Sequence, residues 1–407
     1  MATAISRHVV QVFRLRPTFI SNKILQDLKS KNYVGFRLIY TEQFLGIDKY
    51  KEQRERIKSQ FGSMKERFHA RMTQYFNNDG QPMVFTEDLK NMVYLAEDKG
   101  DDIELCLKMM QRFNQQNREL RFSTFVFGPV AMRLFYFLDK PDIVLQALND
   151  EQLDGFFDQI TSYHIALDLL FKHQRYQDLV DCYEHLRTKQ LYGTKFPREC
   201  MVLVLAACYK LNTTASYQHA LELVKQAREA GANIIRKGVA FMAALAVNQN
   251  DPKTAMEILA MTPQQNYITV KNLRIITLAE LDRLDDVFPI LRSIVDQDVP
   301  KMIKTTNEIS QTTMEKIQVA VERLGDKEMT HIFEQICRAL KDGDHINPSS
   351  LDDLLCTAVK SKPPPRDKPW IEGSGLHSSH RPPQSSFPGS YSRNTMHQRQ
   401  GLRDMDE

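Results

Sequence analysis

The chain has 407 residues, 42% of them hydrophobic, and its 54 Lys and Arg residues against 51 Asp and Glu residues give a formal net charge of +3. This length and apolar content allow a large buried core, and no apolar run of about 18 residues predicts a membrane span. The six cysteines form no Cys-x-x-Cys pair and lack the dense spacing of a small disulfide-rich domain. We therefore expect reduced packing thiols and no metal site.

The basic charge is concentrated at the beginning of the chain. Residues 1–26 carry Arg7, Arg14, Arg16 and Lys23 and no acidic residue, with apolar and hydroxyl residues between them. This composition is typical of a mitochondrial presequence, although a basic terminus without a targeting role is the alternative. Residues 85–292, by contrast, contain 24 Lys and Arg residues against 27 Asp and Glu residues. Bulk charge therefore does not predict a nucleic-acid binder, and any RNA affinity must come from local placement of cations.

Residues 27–84 contain a basic amphipathic helical pattern. Apolar residues recur at steps of three or four from Ile47 to Phe76, and eight Lys and Arg residues lie between them. The pattern fits either a positively charged arm that contacts phosphates or an N-terminal cap that closes a stack of helices. We favour the cap, and one segment can serve both roles.

A helical unit that begins at Ser162 recurs along residues 85–292. Six aligned apolar positions mark the copies: Leu105, Val144, Leu179, Ala220, Ala255 and Val287. Their mean spacing of about 36 residues indicates a helix-turn-helix repeat, which cannot bury its apolar face alone. We therefore predict an all-α fold, a right-handed α-solenoid of stacked helix-turn-helix repeats with helical caps.

The repeat pattern fades after Arg292. Helices are predicted near residues 308–324, 327–340 and 349–359, and residues 293–360 should form a C-terminal helical cap. Residues 361–407 hold seven of the 17 prolines and eight serines, a composition that predicts a disordered tail.

Two repeat families have this period, and the residues distinguish them. The one tryptophan, Trp370, lies outside the repeats, which disfavours tetratricopeptide repeats. The unit from Tyr163 to Thr194 instead resembles a pentatricopeptide repeat: Tyr163 opens the first helix, Leu170-Phe171-Lys172 closes it, and residues 176–186 form the second. The resemblance implies a protein of the mitochondrial matrix that binds single-stranded RNA, takes part in RNA maturation and so supports the respiratory chain. It also favours the presequence interpretation of residues 1–26.

No motif of an enzyme or cofactor site is present. The chain has no Walker A loop, no dinucleotide glycine fingerprint, no Gly-x-Ser-x-Gly elbow and no zinc-deaminase signature. The nearest acid/base pair is His164 with Asp168, one helical turn apart, which we expect to be a polar pair on a solvent-facing groove. We predict no catalytic activity, no cofactor and no metal.

RNA contacts follow from the resemblance, which places base-reading positions near the start of each first helix. The predicted reading positions are Pro129, His164, Met201, Ala240 and Asn272, and the preceding partner positions are Gln159, Phe196, Ile235 and Tyr267. Only Asn272 has the expected residue type, while His164 and Gln159 are able to bond a base edge. The other candidates are cations expected on the inner face: Lys172, Lys210, Arg236, Lys237, Lys271 and Arg274.

Two function classes remain open. The first is a non-enzymatic mitochondrial factor that holds single-stranded RNA through stacking surfaces and scattered cations. The second is a helical scaffold that binds proteins of the mitochondrial ribosome or of the RNA-processing machinery and has lost base readout. We favour RNA.

Overall fold

Consecutive helices joined by short turns make up nearly all of the structure, a computed structural model that describes residues 38–77, 83–296 and 308–359. All of these described residues lie in one compact unit. The predicted presequence at 1–26 and the predicted tail at 361–407 lie outside the described residues. Over the described part the all-α prediction is confirmed, with two strands of two residues each, β1 (Ile309–Ser310) and β2 (Ile346–Asn347), paired in parallel.

The helices fall into an N-terminal group, a series of pairs and a short final helix. The N-terminal group is α1 (Glu42–Leu45), α2 (Ile47–Phe61) and α3 (Lys65–Asn77). The pairs are α4 (Thr86–Leu95) with α5 (Gly100–Leu120), α6 (Gly128–Phe137) with α7 (Pro141–Asn149), α8 (Ile160–Lys172) with α9 (Tyr176–Lys189), α10 (Arg198–Leu211) with α11 (Thr214–Glu229), α12 (Arg236–Asn248) with α13 (Pro252–Ala260), α14 (Ile268–Glu280) with α15 (Leu284–Val295), and α16 (Gln311–Leu324) with α17 (Lys327–Asp342). The final helix is α18 (Leu351–Leu355).

Four of the six aligned apolar positions occupy equivalent places in these pairs, whereas Leu105 is the sixth residue of α5 and Ala220 the seventh residue of α11. Val144, Leu179, Ala255 and Val287 are each the fourth residue of a second helix, and all four are fully buried. The first helices begin two or three residues before the apolar pattern does, because their first turns are partly exposed and carry polar residues such as Arg198 and Arg236.

The turn inside each of the five pairs from α6–α7 to α14–α15 uses a left-handed residue. Asp139, Gln174, Asn212, Asn250 and Asp282 all have φ between 47° and 59°. Asn and Asp tolerate this conformation better than most non-glycine residues, because their short polar side chains bond locally. Each turn therefore ends the first helix at a defined point and sends the chain back along the second.

The first helices form the centre of the stack. From α6 to α16, each first helix packs against the first helix of the next pair, and most second helices also contact the following first helix. Helices α10 and α12 are consequently buried on every side over their middle turns: all nine residues from Cys200 to Cys208 in α10 and all nine from Gly238 to Ala246 in α12 are buried. Each buried Leu or Val contributes roughly 1.5–3 kcal/mol of hydrophobic stabilisation.

The N-terminal group covers one end of the pairs. Helix α2 packs against α4 and α6 and buries Ile47, Tyr50 and Ile57. Arg54 is also buried, and its guanidinium donates to the carbonyls of Tyr94 and Ala96 at the end of α4. This cation bonds carbonyl groups that have no partner within their own helix. The predicted single amphipathic helix is interrupted at Gly62, where φ is 48°.

The C-terminal region expected to be a cap is a further helix pair. Helix α16 packs against α14 and α17 against α15, which repeats the arrangement of the preceding pairs. Asn272 in α14 joins the two pairs. Its Oδ1 accepts hydrogen bonds from Ser310 N at 2.9 Å and Thr313 Oγ1 at 2.8 Å, and its Nδ2 donates to Ile268 O at 2.8 Å.

Asn272→Ala should lower the free energy of unfolding by roughly 2–4 kcal/mol, because it leaves the buried amide of Ser310 and the hydroxyl of Thr313 without their acceptor. Urea unfolding followed by far-UV circular dichroism measures the change. Asn248→Ala, at an exposed position of α12, is the matched control and should shift stability by less than about 0.5 kcal/mol. Equal effects of the two substitutions would show that the Asn272 network does not join the pairs.

Candidate nucleic-acid interface

The two ends of the described chain lie on one face of the first helices. We call residues 38–46 and 351–359 the terminal clasp. Val359 N donates to Ile39 O at 2.8 Å and Thr41 N donates to Val359 O at 3.3 Å, so the two segments pair as in a parallel sheet. Ile39, Tyr40, Leu355 and Cys356 belong to the same hydrophobic core as the helix pairs. The clasp is therefore packed into the fold.

Tyr40 fixes the N-terminal half of the clasp to two first helices. Its ring contacts His164 of α8 edge-on, with ring centroids 4.4 Å apart, and its hydroxyl donates to Glu199 O of α10 at 3.1 Å. The ring of Phe44 also lies edge-on to His164, at 5.7 Å. His164 is 7% exposed as a result. The expectation of a solvent-facing polar pair is therefore wrong for His164, because an aromatic residue 124 positions earlier in the chain covers it.

Asp168 is buried beside the same contact. It is 1% exposed, and Tyr136 of α6 donates its hydroxyl to Asp168 Oδ2 at 3.1 Å. Burial raises the pKa of Asp168 to about 7 and lowers the pKa of His164 to about 4. Among the described residues neither His164 Nε2 nor Asp168 Oδ1 has a hydrogen-bond partner. The two side chains do not form an acid/base pair.

Two of the predicted cations are neutralised by neighbouring carboxylates. Lys172 Nζ lies 2.6 Å from Asp139 Oδ1 in the preceding pair, and Lys210 Nζ lies 2.6 Å from Asp352 Oδ1 in the clasp. Both lysines are at the ends of first helices, as predicted. The ion pair of Lys172 links α8 to the turn of the preceding pair, and the ion pair of Lys210 links α10 to the clasp. Little of the positive charge of these two lysines is therefore left for phosphates.

The predicted base-reading positions are covered. Met201 and Ala240 are buried, Pro129 is half-buried, and Asn272 is fully enclosed by the network with Ser310 and Thr313. The prediction that Asn272 faces a base is therefore wrong, since its amide is fully used inside the protein. Of the partner positions, Phe196 is buried, Gln159 is half-buried and accepts from Ser162 Oγ at 2.9 Å, Ile235 is half-buried, and Tyr267 is 41% exposed.

Two of the remaining predicted cations, Arg236 and Lys237, lie together at a cavity. It has a volume of about 520 Å³ and lies where α10, α12 and α14 begin, with residues 354–359 of the clasp as one wall. Arg198, Arg236 and Lys237 line it, and no carboxylate is among its described lining residues. Lys271 is buried and Arg274 is exposed, and neither lines this cavity. Only two of the predicted cations, Arg236 and Lys237, thus share one site.

Contacts in the cavity hold Arg236 and Lys237 in place. The guanidinium carbon of Arg236 lies 3.4 Å from the centroid of the Tyr267 ring, and Arg236 Nη1 donates to Gln264 Oε1 at 2.7 Å. Lys237 Nζ donates to Thr357 O of the clasp. Burial lowers the pKa of Lys237 to about 8, which leaves most of the side chain charged at neutral pH. The site therefore presents a fixed planar cation and a lysine linked to the clasp.

Sequence reasoning missed Arg198, although a signal was present. Arg198 and Arg236 are the first residues of α10 and α12, 38 residues apart, and so occupy the same position in successive pairs. Aligning helix starts, in place of the apolar positions of the second helices, would have identified Arg198. Tyr40 and Val359 carried no comparable signal.

Helix pairs that stack through their first helices, with a cationic cavity at the helix starts, define an α-helical repeat protein. The chain is 27% identical over 327 residues to mouse (Mus musculus) pentatricopeptide repeat-containing protein 2, mitochondrial. The alignment covers 80% of this chain and 83% of the mouse protein. The zebrafish (Danio rerio) and human proteins of the same name are 25% and 24% identical, each covering 80% of this chain and 82% of the relative. These distant but consistent relatives confirm the resemblance to pentatricopeptide repeat proteins. No protein-family model matches the chain.

None of the described helices has the length and apolarity that a membrane-spanning segment requires. Within residues 38–77, 83–296 and 308–359, no group of three or more His, Cys, Asp or Glu side chains is placed to hold one metal ion.

Asp168→Asn should change the pH dependence of stability. Because the folded state raises the pKa of Asp168 from its ordinary value to about 7, it retains a proton that the unfolded chain releases. The wild type should therefore lose stability relative to the variant as pH rises from about 4 to 7, by up to about 1.4 kcal/mol per pH unit. Urea unfolding of both proteins across this range measures the difference in stability. The lowered pKa of His164 has the opposite effect on stability, but it is present in both proteins and so cancels in the difference.

Asp139→Asn is the control with the opposite sign. Burial alone would raise the pKa of Asp139, but hydrogen bonds from Lys172 and His173 outweigh burial and lower it. The wild type should gain stability relative to this variant as pH rises above the pKa of the folded state. If the Asp168→Asn difference stays flat with pH while the control responds, Asp168 is not the buried acid described above.

Proposed function

We propose that the chain is a non-enzymatic mitochondrial RNA-binding protein whose helix pairs form a right-handed solenoid. It acts in the matrix after import through residues 1–26, takes part in transcript maturation and so supports the respiratory chain. It contacts single-stranded RNA at the cavity lined by Arg198, Arg236 and Lys237. The observation that carries the proposal is this group of three cations without a lining carboxylate. The relatives named as mitochondrial pentatricopeptide repeat proteins support the compartment and the ligand class.

The chemistry of the cavity favours phosphate and stacking contacts over base readout. Two guanidinium groups and one ammonium group match phosphate oxygens, and guanidinium planes also stack on bases. Of the positions predicted to read base edges, four are buried, His164, Met201, Ala240 and Asn272, and Pro129 is half-buried. We therefore expect binding that depends strongly on salt and weakly on sequence.

Changing Arg198, Arg236 and Lys237 together to Gln should weaken binding to a single-stranded RNA oligonucleotide by about 10- to 100-fold, since each lost phosphate contact removes roughly 0.5–1 kcal/mol. The dependence of affinity on salt should also become shallower. Fluorescence anisotropy at two salt concentrations measures both effects.

The matched control changes the same amount of charge on second helices. Lys225 and Arg228 of α11 and Lys253 of α13 are exposed there and lie away from the cavity. Their combined substitution by Gln should leave RNA affinity within about twofold of the wild type, apart from the small effect of net charge. Equal losses in the two triple variants would refute the cavity as the RNA contact.

A second candidate function is a helical scaffold for proteins of the mitochondrial ribosome or of the RNA-processing machinery. The burial of His164, Met201, Ala240 and Asn272 favours it, because a protein that reads bases along its first helices needs these positions open. Crosslinking in intact mitochondria distinguishes the two functions. Recovered RNA that is lost in the Arg198, Arg236 and Lys237 variant supports RNA binding, and protein crosslinks without RNA support the scaffold.

A further inference from the structure

The cavity at the start of α10, α12 and α14 is bounded on several sides. Its volume of about 520 Å³ falls within the range of roughly 300–1,000 Å³ that small-molecule sites occupy. Leu354, Leu355 and Val359 of the terminal clasp line one side, and Ala240 and Met261 of the helix pairs also line the cavity. Next to it, the pairing of Ile39 and Thr41 with Val359 crosses the first-helix face. A ligand in this cavity is therefore a compact unit, since the clasp interrupts any longer path along the first helices.

The charge of the cavity favours an anionic ligand. Arg198, Arg236 and Lys237 supply three cations with no carboxylate among the described lining residues. The residues that precede α10, α12 and α14 are Pro197, Ile235 and Tyr267, and none of them caps its helix with a side-chain hydrogen bond. Amide groups of the first turns thus add positive potential where the cations already gather, and this combination suits a phosphate group.

The rest of the lining suits a flat ligand body with polar edges. The Arg236 guanidinium stacks on the Tyr267 ring and is held by Gln264, which gives a rigid planar surface. Asn233 and Thr262 add neutral donors and acceptors, and the clasp adds apolar side chains. Planar cations and aromatic rings bind nucleobases by stacking, and amide side chains bond their edges. A phosphate, an aromatic base and a compact size together describe one nucleotide.

We propose that this cavity binds a single nucleoside monophosphate unit, either a free nucleotide or the phosphorylated end of an RNA strand. The second source rests on the proposed function in RNA binding, whereas the first does not. Arg198 and Arg236 bind the phosphate with the first-turn amides, the Arg236 and Tyr267 pair stacks with the base, and residues 354–359 form the wall that limits the ligand to one unit.

Isothermal titration calorimetry of the full chain with AMP and UMP tests the proposal. We expect a Kd below about 1 mM for at least one of them, with adenosine and inorganic phosphate each at least about tenfold weaker, because each supplies only half of the recognised chemistry. Arg236→Gln should weaken binding of the nucleotide by at least about tenfold, and Arg236→Lys, which keeps the charge but loses the plane, should give an intermediate loss.

Lys253→Gln on α13 is the control variant and should leave nucleotide affinity unchanged. Thermal unfolding of each variant shows that it is folded before its affinity is compared. No heat of binding at nucleotide concentrations up to about 1 mM, or equal affinity in wild type and Arg236→Gln, would overturn the proposal.

A competition experiment distinguishes the two sources. If a short RNA with a terminal phosphate displaces the nucleotide and the same RNA without that phosphate does not, the strand end is the ligand. If neither RNA displaces it, the free nucleotide is the ligand and the cavity assignment stands. RNA affinity that resists the nucleotide and survives Arg236→Gln refutes RNA contact at this cavity but leaves the binding of a free nucleotide there intact.

Discussion

The burial of one first helix against the next is the interaction on which the rest of the structure depends. A pair such as α10 with α11 has apolar residues on every side of its first helix, from Cys200 to Cys208. Neighbouring first helices and second helices cover most of that surface. Because a helix that is apolar all round must be enclosed, the remaining side also needs a cover, and Tyr40 with residues 355–359 supplies part of it.

This requirement moves polar chemistry away from the middle of the first helices and towards their ends. His164 and Asp168, in the middle of α8, are buried with shifted pKa values and have no role in contacting solvent. Arg198, Arg236 and Lys237, in the first turns of their helices, remain at the edge of the core, where charge is compatible with hydration. The candidate site is therefore a consequence of the packing, since the helix starts are where cations and open volume coincide.

The repeat period could be predicted from the sequence because it comes from local apolar spacing, and residues such as Val144 and Leu179 occupy the expected places in their helices. The helix boundaries of the unit from Tyr163 to Thr194 were also close, since the first helix ends at Lys172 and the second begins at Tyr176 in the structure as well. The site was only partly predictable. The apolar residues on all sides of α10 and α12 in the sequence already indicate that these two first helices are covered and do not line an open RNA-binding groove. The identity of the covering residues is not readable, since the pairing of Ile39 with Val359 joins positions separated by 320 residues and follows no local pattern.

The pairing of the two clasp segments also has a consequence for how the protein folds. Repeat arrays ordinarily gain structure from neighbour to neighbour, so either end is able to fray while the middle stays folded. Here a segment before the first pair and a segment after the last pair meet over α8, α10 and α12. Those contacts form only when the intervening repeats have assembled, which raises the contact order and slows folding. In return, unfolding of one terminal segment breaks its contacts with the other terminal segment, so both ends are held in place together. A chain of modular repeats thereby gains the all-or-none unfolding of a globular domain.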